Sequence, residues 1–284
     1  MRIHLELQKS IDQNAGLYFE QAKKAKAKAE GARTALEDTK RKLKSAQKDL
    51  AKEQAASHAA QQEQQRASDH KEQAKARAAW YHSYRWFLSS DGILCVGGRD
   101  ATQNEVLIKK HTQPGDKVLH TDMAGSPFFI VKAEGNDIPE STLQEAANAT
   151  ASFSKAWGLG LSSTPVFWVK PEQVSKEAAS GEYLTRGAFV IKGKTNYLDN
   201  QMDLCIGVVD RFVMAGPERA VASHSPTYVR ILPGDQKTSA VAKATYNIIL
   251  KGEPKSYLDD IIRALPTGGC SLPKRLEHTG KQRQ

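Results

Sequence analysis

The sequence predicts an α+β protein: an N-terminal basic antiparallel coiled-coil hairpin followed by a mixed, largely antiparallel sheet domain with flanking helices. Three observations predict it. Before Trp80 there is no proline, Gly16 and Gly31 are the only glycines, and Ala, Lys, Gln and Glu dominate, which is helix-forming composition. From Trp80 onward, aromatic and β-branched residues arrive together with turn signals. Those strand-like runs do not alternate regularly with helical ones, which favours an antiparallel sheet over βα repeats.

Taken in order, "RIHLEL" places Ile3, Leu5 and Leu7 on one face and reads as a strand that needs a sheet elsewhere. Residues 1–15 are therefore expected to be a residual strand and linker, and 16–79 the coiled coil. Leu36, Leu43 and Leu50 are seven apart, and Ala29 and Ala22 continue the position backwards, a narrow heptad seam. The run "AASHAAQQEQQ", residues 55 to 65, interrupts the leucines and is the expected hairpin tip. Two arms of about 30 residues would each reach roughly 45 Å.

The chain carries a formal net charge of +9 over 284 residues, and residues 20 to 80 hold fifteen Lys or Arg against nine Asp or Glu. Clustered base favours a polyanion, because binding phosphate releases counterions. Lys23 and Lys24, and further along Lys40, Arg41, Lys42 and Lys44, are the candidate phosphate contacts of the arm. They position a backbone without reading sequence. The competing interpretation is a solvated charged helix face.

In the body, "RWFLSSDGILCVGG" sets two apolar runs around Ser90, Asp91 and Gly92, a hairpin signal. "ATQNEVLIKKH" has helical spacing. "DKVLHTD" and "SPFFIVKA" read as strands, and "PESTLQEAANATASFSKAW" as a helix opened by Pro139. Further strands are expected at "PVFWVK", "GAFVIKG" and "LCIGVVDRFV". "TYVRILPGD", "TSAVAKATYNIILKG" and "YLDDIIRALPTGG" read as a strand and two helices, and 274–284 as a disordered tail.

Cys95, Cys205 and Cys270 are far apart and form no CxxC pair, which argues for a reducing compartment and against a zinc site. No apolar run suits a membrane span or signal peptide, so a cytoplasmic protein without membrane contact is expected. His120 and Asp122 invite a catalytic or metal-binding interpretation, but no third ligand or adjacent nucleophile stands at a telling spacing, and the P-loop order GxxxxGK[ST] is absent. No catalytic residue, metal or cofactor is expected.

The strings "WYHSYRWFLSSDGILCVGGRDATQNEVLIKK", "KVLHTDMAGSPFFIVK", "AWGLGLSSTPVFWVKPEQVSK" and "GEYLTRGAFVIKGKTNYL" closely resemble the R domain of the NFACT family. "SIDQNAGLYFEQAKKAKAKAEGA" is similar to that family's entry into its coiled coil, and "YVRILPGDQKTSAVAK" and "DDIIRALPTGGC" to its archaeal C-terminal extension. The resemblance implies an R domain over 80–215 and an extension over 216–273. It also implies a ribosome-associated protein that binds large-subunit ribosomal RNA and tRNA, and whose family adds C-terminal alanine tails to stalled nascent chains. Family members normally begin with an N domain and a helix-hairpin-helix module, and neither stands before Arg2, so the resemblance implies a fragment, one half of a split gene or a reduced accessory form; in the split-gene case "RIHLEL" is expected to dock on a separate N-domain polypeptide.

The RNA-contacting residues that the matched strings imply are Arg85, Arg99, Asp100, Asn104 and His120. Lys109, Lys110, Lys176, Arg186, Lys192 and Lys194 would extend a basic face, and Tyr81 and Tyr84 would stack on bases. Three functions stay open: an RNA-binding quality-control factor, a nucleic-acid-processing enzyme centred on His120 and Asp122, and a coiled-coil scaffold.

Overall fold

The structure, a computed structural model, describes residues 3–177 and 185–273, with the backbone alone at 58–60, 63 and 66–77. The disordered tail expected over 274–284 therefore lies outside the described residues. The chain divides into two compact units, residues 1–65 and 66–284.

In the first unit the expected coiled-coil hairpin is not formed. A single helix, α1, runs from Ile11 to Arg77, about 100 Å at 1.5 Å per residue. The expected tip is helical throughout, because "AASHAAQQEQQ" contains neither glycine nor proline and Ala, Gln and Glu all favour helix. Leu36, Leu43 and Leu50 are more than half exposed, so among the described residues no second helix covers the heptad seam. The expected strand at "RIHLEL" is also absent. Its backbone is held instead by the head of α1, where the buried Asn14 side chain accepts from Glu6 N and donates to the Glu6, Lys9 and Ser10 carbonyls. Tyr18 donates to the His4 carbonyl at 2.7 Å.

The second unit is built from antiparallel strands. A six-stranded sheet has the order β1-β2-β4-β3-β5-β8, formed by β1 (Arg85–Leu88), β2 (Leu94–Gly97), β3 (Lys117–Thr121), β4 (Phe129–Val131), β5 (Val166–Val169) and β8 (Asn196–Leu198). The β1–β2 hairpin turns where Ser90, Asp91 and Gly92 predict it, with Gly92 at φ 80°. β6 (Val174–Ser175) and β7 (Val190–Ile191) form a separate ribbon.

Alternation along these strands sorts the core to two faces. Phe87, Cys95, Leu119, Phe129 and Val131 point one way, into a core shared with α3 (Glu140–Ser152). Val96, Val118, Ile130, Phe167 and Val169 point the other way, under Leu107 and Ile108 of α2 (Ala101–His111). After α3, a short α4 (Lys155–Gly158) buries Trp157. Trp168 is half-buried against the same core, with the Lys117 ammonium 4.6 Å from its ring.

The strand content expected at "LCIGVVDRFV" takes the form of a hairpin. β9 (Leu204–Val209) and β10 (Phe212–Gly216) pair across Asp210 and Arg211, both in the left-handed region at φ 48° and 72°. A two-residue hairpin turn asks for positive φ at both positions, and no glycine advertises it here. β9 also pairs with β11 (Tyr228–Gln236), and β11 with β12 (Cys270–Ser271), giving the sheet β10-β9-β11-β12. Against it lie α5 (Glu218–His224), α6 (Thr238–Ile249) and α7 (Tyr257–Ala264). The two large sheets pack tightly where β10 meets β1: a Cβ on Gly216 would meet the Phe87 side chain at 2.7 Å.

Candidate nucleic-acid interface

The site begins at the first turn of α2. Asp100 caps this helix, its carboxylate accepting from Gln103 N at 2.8 Å, while the Gln103 amide oxygen accepts from Arg99 N at 3.1 Å. A side-chain oxygen at this position meets an otherwise orphan helix donor, which makes Asp100 a structural cap. One turn on, the buried Asn104 accepts from Phe128 N at 3.2 Å and donates to the Ser126 carbonyl. Gly98 allows this: a Cβ there would collide with the Asn104 side chain. Asn104 thus sews α2 to the loop before β4 and has little capacity left for a base.

The guanidinium groups of Arg85 and Arg99 lie beside this turn. Arg85, only 7% exposed, sits 4.5 Å over the Phe153 ring, and its Nε and Nη1 are buried without an acceptor among the described residues. Arg99 donates from Nη2 to the Tyr84 carbonyl at 3.0 Å, and its Nε is likewise unsatisfied. Burial, followed by the neighbouring Arg99 charge, lowers the Arg85 pKa to about 10. Burial and then the Arg263 charge lower that of Arg99.

Two clefts meet at this pair. One, of about 540 Å³, is lined by Trp80, His82, Trp86, Phe212, Arg211 and Arg263 among others; the second, of about 440 Å³, by Asn104, His120, Gly125, Phe128, Arg186 and Phe189 among others. Arg85, Arg99 and Phe153 belong to the walls of both. Four of the residues implied by the sequence, Arg85, Arg99, Asn104 and His120, therefore converge, together with Asp100 at the rim.

The other expected residues fare differently. Tyr84 is buried and offers no face for a base, whereas Tyr81 is half-buried against Trp86. Lys109 pairs with Glu105 at 2.7 Å, and Lys110 lies near it on the outer face of α2 with Arg186. Lys176 pairs with the same Glu105 at 3.3 Å, its ammonium 5.1 Å from the Phe189 ring. Lys192 and Lys194 line a separate hollow with Trp168, and Lys192 pairs with Glu177 at 2.7 Å. Lys23, Lys24, Lys40, Arg41, Lys42 and Lys44 are all exposed along α1.

The catalytic interpretation of His120 and Asp122 finds little geometry. His120 stacks on Phe128 at 4.2 Å, and burial lowers its pKa. Asp122 instead accepts from the Tyr197 hydroxyl at 3.2 Å. One further cluster, Asp203, Cys205 and Glu218, has metal-ligand chemistry, but Arg230 pairs with both carboxylates at 3.7 and 3.3 Å and burial pushes the Cys205 thiol up. A guanidinium already supplies the positive charge there.

The family model described as the NFACT protein RNA binding domain matches residues 83–193. The archaeal Rqc2 homolog aRqcH of Methanocaldococcus jannaschii is 37% identical over 213 residues, covering 72% of this chain and 31% of that protein. The chain belongs to the NFACT family. Within it, the ribosome quality control complex subunit NEMF of Homo sapiens is 43% identical over 126 residues, 44% of this chain and 12% of that protein. The NFACT chain thus spans about a third or less of the length of these relatives. A solved structure, the C-terminal part of the fibronectin/fibrinogen-binding protein from Streptococcus suis, aligns at 20% identity with a TM-score of 0.35, covering 42% of this chain and 45% of that one.

The matched segment carries Arg85, Arg99, Phe153 and the whole 440 Å³ wall except Thr267. It excludes Arg211 and Arg263, which the NFACT chain brings in from the β9–β10 turn and α7. Sequence reasoning missed these two and Phe153, because each lies more than fifty residues from Arg99 and only the fold unites them. The glycine-free Asp210–Arg211 turn carried no signal that would have found Arg211.

Proposed function

We propose that this chain is an RNA-binding component of ribosome-associated quality control, one that docks on the stalled large subunit and on tRNA in the cytoplasm and supports C-terminal tailing of the nascent chain. The observation that carries this reading is the Arg85–Arg99 pair, a buried guanidinium beside a partly buried one, neither ion-paired with a carboxylate among the described residues, inside a segment matching an RNA-binding domain. Two like charges at low dielectric call for an anion, and Arg is suited to phosphate by its fork of donors. The names of its relatives supply the process, and the exposed base of α1 supplies a second, non-specific contact. The geometry favours binding over chemistry, since Asp122 is engaged by Tyr197 and not by His120.

The test is co-sedimentation of the tagged chain with ribosomal subunits from its host at low and moderate salt, with sequencing of the bound RNA. Enrichment of large-subunit RNA and tRNA is expected. Recovery of neither would overturn the reading.

A further inference from the structure

We propose that single-stranded RNA passes through the two clefts of the second unit, one backbone phosphate seated on Arg85 and Arg99 and a nucleoside lying in each cleft. This rests on the RNA-binding reading above and adds the form of RNA and its path.

The argument starts from hydrogen bonds that the protein does not make. Arg85 presents two buried nitrogens and Arg99 one, none with an acceptor among the described residues. The nearby carboxylates are otherwise engaged: Asp100 caps α2, and Asp260 pairs with Arg263. A fold that buries charged donors without partners bears an energetic cost that a bound anion removes. A phosphate, with its charge and several acceptor oxygens, matches adjacent guanidinium groups in charge and geometry.

Position then selects the ligand. Arg85, Arg99 and Phe153 are common to both clefts, so a phosphate held there has open space on either side, as an internal phosphate of a strand requires and a free anion does not. Aromatic rings line each space. Trp80, 41% exposed and stacked flat on His111 at 3.9 Å, borders the larger cleft with His82; the half-buried rings of His120 and Phe189 border the smaller. Unpaired bases stack on such rings. A duplex keeps its phosphates on a rigid cylinder and cannot bring one to a guanidinium only 7% exposed.

The experiment uses the full chain and fluorescence anisotropy with a labelled ten-nucleotide RNA, single-stranded or annealed to its complement, over a salt series. Wild type is expected to bind the single strand at least tenfold more tightly. Arg85→Met and Arg99→Met, which keep the apolar stems, should each weaken that binding about tenfold and lower the salt slope by about 0.7. Arg85→Met should also melt no lower than wild type without RNA, because it removes a buried unpaired charge. Equal affinity for duplex, or single-strand binding unchanged in both variants, overturns the path. An Arg85→Met variant that melts lower yet binds RNA normally marks a structural strut and overturns it too; should that variant not fold, Arg99→Met decides. Wild type that co-sediments with large subunits but shows no single-strand preference loses only this inference, whereas failure to bind either RNA or subunits removes the underlying reading as well.

Discussion

Lys132 and Asp116 form an ion pair at 2.5 Å in which the two side chains are only 7% and 1% exposed. Asp116 also accepts from the amides of Gln113 and Ala133, both at 2.9 Å, and Lys132 donates to the His111 carbonyl at 2.8 Å. One pair thereby ties the end of α2, the start of β3 and the end of β4. Breaking a buried pair from one side leaves an uncompensated charge and costs about 3–5 kcal/mol. Lys132→Met is expected to lower the urea-unfolding free energy of the second unit by that order. A loss under about 1 kcal/mol would show that water reaches the pair.

Three histidines give stability a pH dependence of one sign. Burial lowers the pKa values of His82, His111 and His120 from 6.5. The unfolded chain therefore takes up protons first as pH falls below 6.5, and stability drops until the folded values are passed. His82 shows the contact at stake: its Nδ1 accepts from Ala79 N at 3.0 Å, and its ring stacks on Phe212 at 3.6 Å. The melting temperature should be lower at pH 5.5 than at pH 7.5, and His82→Gln should shrink the difference. A flat profile would contradict this.

Gly187 sets the lip of the smaller cleft. It adopts φ 77°, and a Cβ there would lie 2.7 Å from Ala101 Cα. Its amide donates to Glu105 Oε2 at 3.2 Å. Because backbone and not a flexible side chain blocks the added methyl, Gly187→Ala is expected to cost about 1–3 kcal/mol and to weaken RNA binding. Differential scanning calorimetry and the anisotropy assay read the two effects separately.

The arm is tested by charge. Replacing Lys40, Arg41, Lys42 and Lys44 with glutamine should flatten the slope of log affinity against log salt by about 3 on single-stranded RNA, at roughly 0.7 per contact. The melting temperature should not move, since all four are exposed. An unchanged slope would place this cluster off the RNA.

What could be read from the sequence divides along physical lines. The β1–β2 hairpin was legible because Ser90, Asp91 and Gly92 carry turn chemistry, and α2 because helical spacing runs from Ala101 to His111. The break expected at residues 55 to 65 was not made: a gap in leucine periodicity is not a helix stop when no breaker accompanies it. β6, β8 and β12 are two or three residues long, too short for a period of two to register. In the site, Arg85 and Arg99 stand in the matching strings, whereas the burial of Tyr84 follows from tertiary packing that its position in the sequence does not encode. Arg211 was hidden by a turn that uses no glycine.

The unbroken course of α1 makes it a phase device as well as a spacer. From Lys24 to Lys40, sixteen residues of helix fix an axial separation of about 24 Å and an angular offset set by about 100° per residue. A seven-residue insertion between these clusters would lengthen the interval by about 10 Å and turn the distal lysines by only about 20°. A two-residue deletion would change the interval by about 3 Å yet swing them by about 200°, to the opposite side. Natural length variation in this stretch should therefore come in heptads wherever both clusters address the same surface.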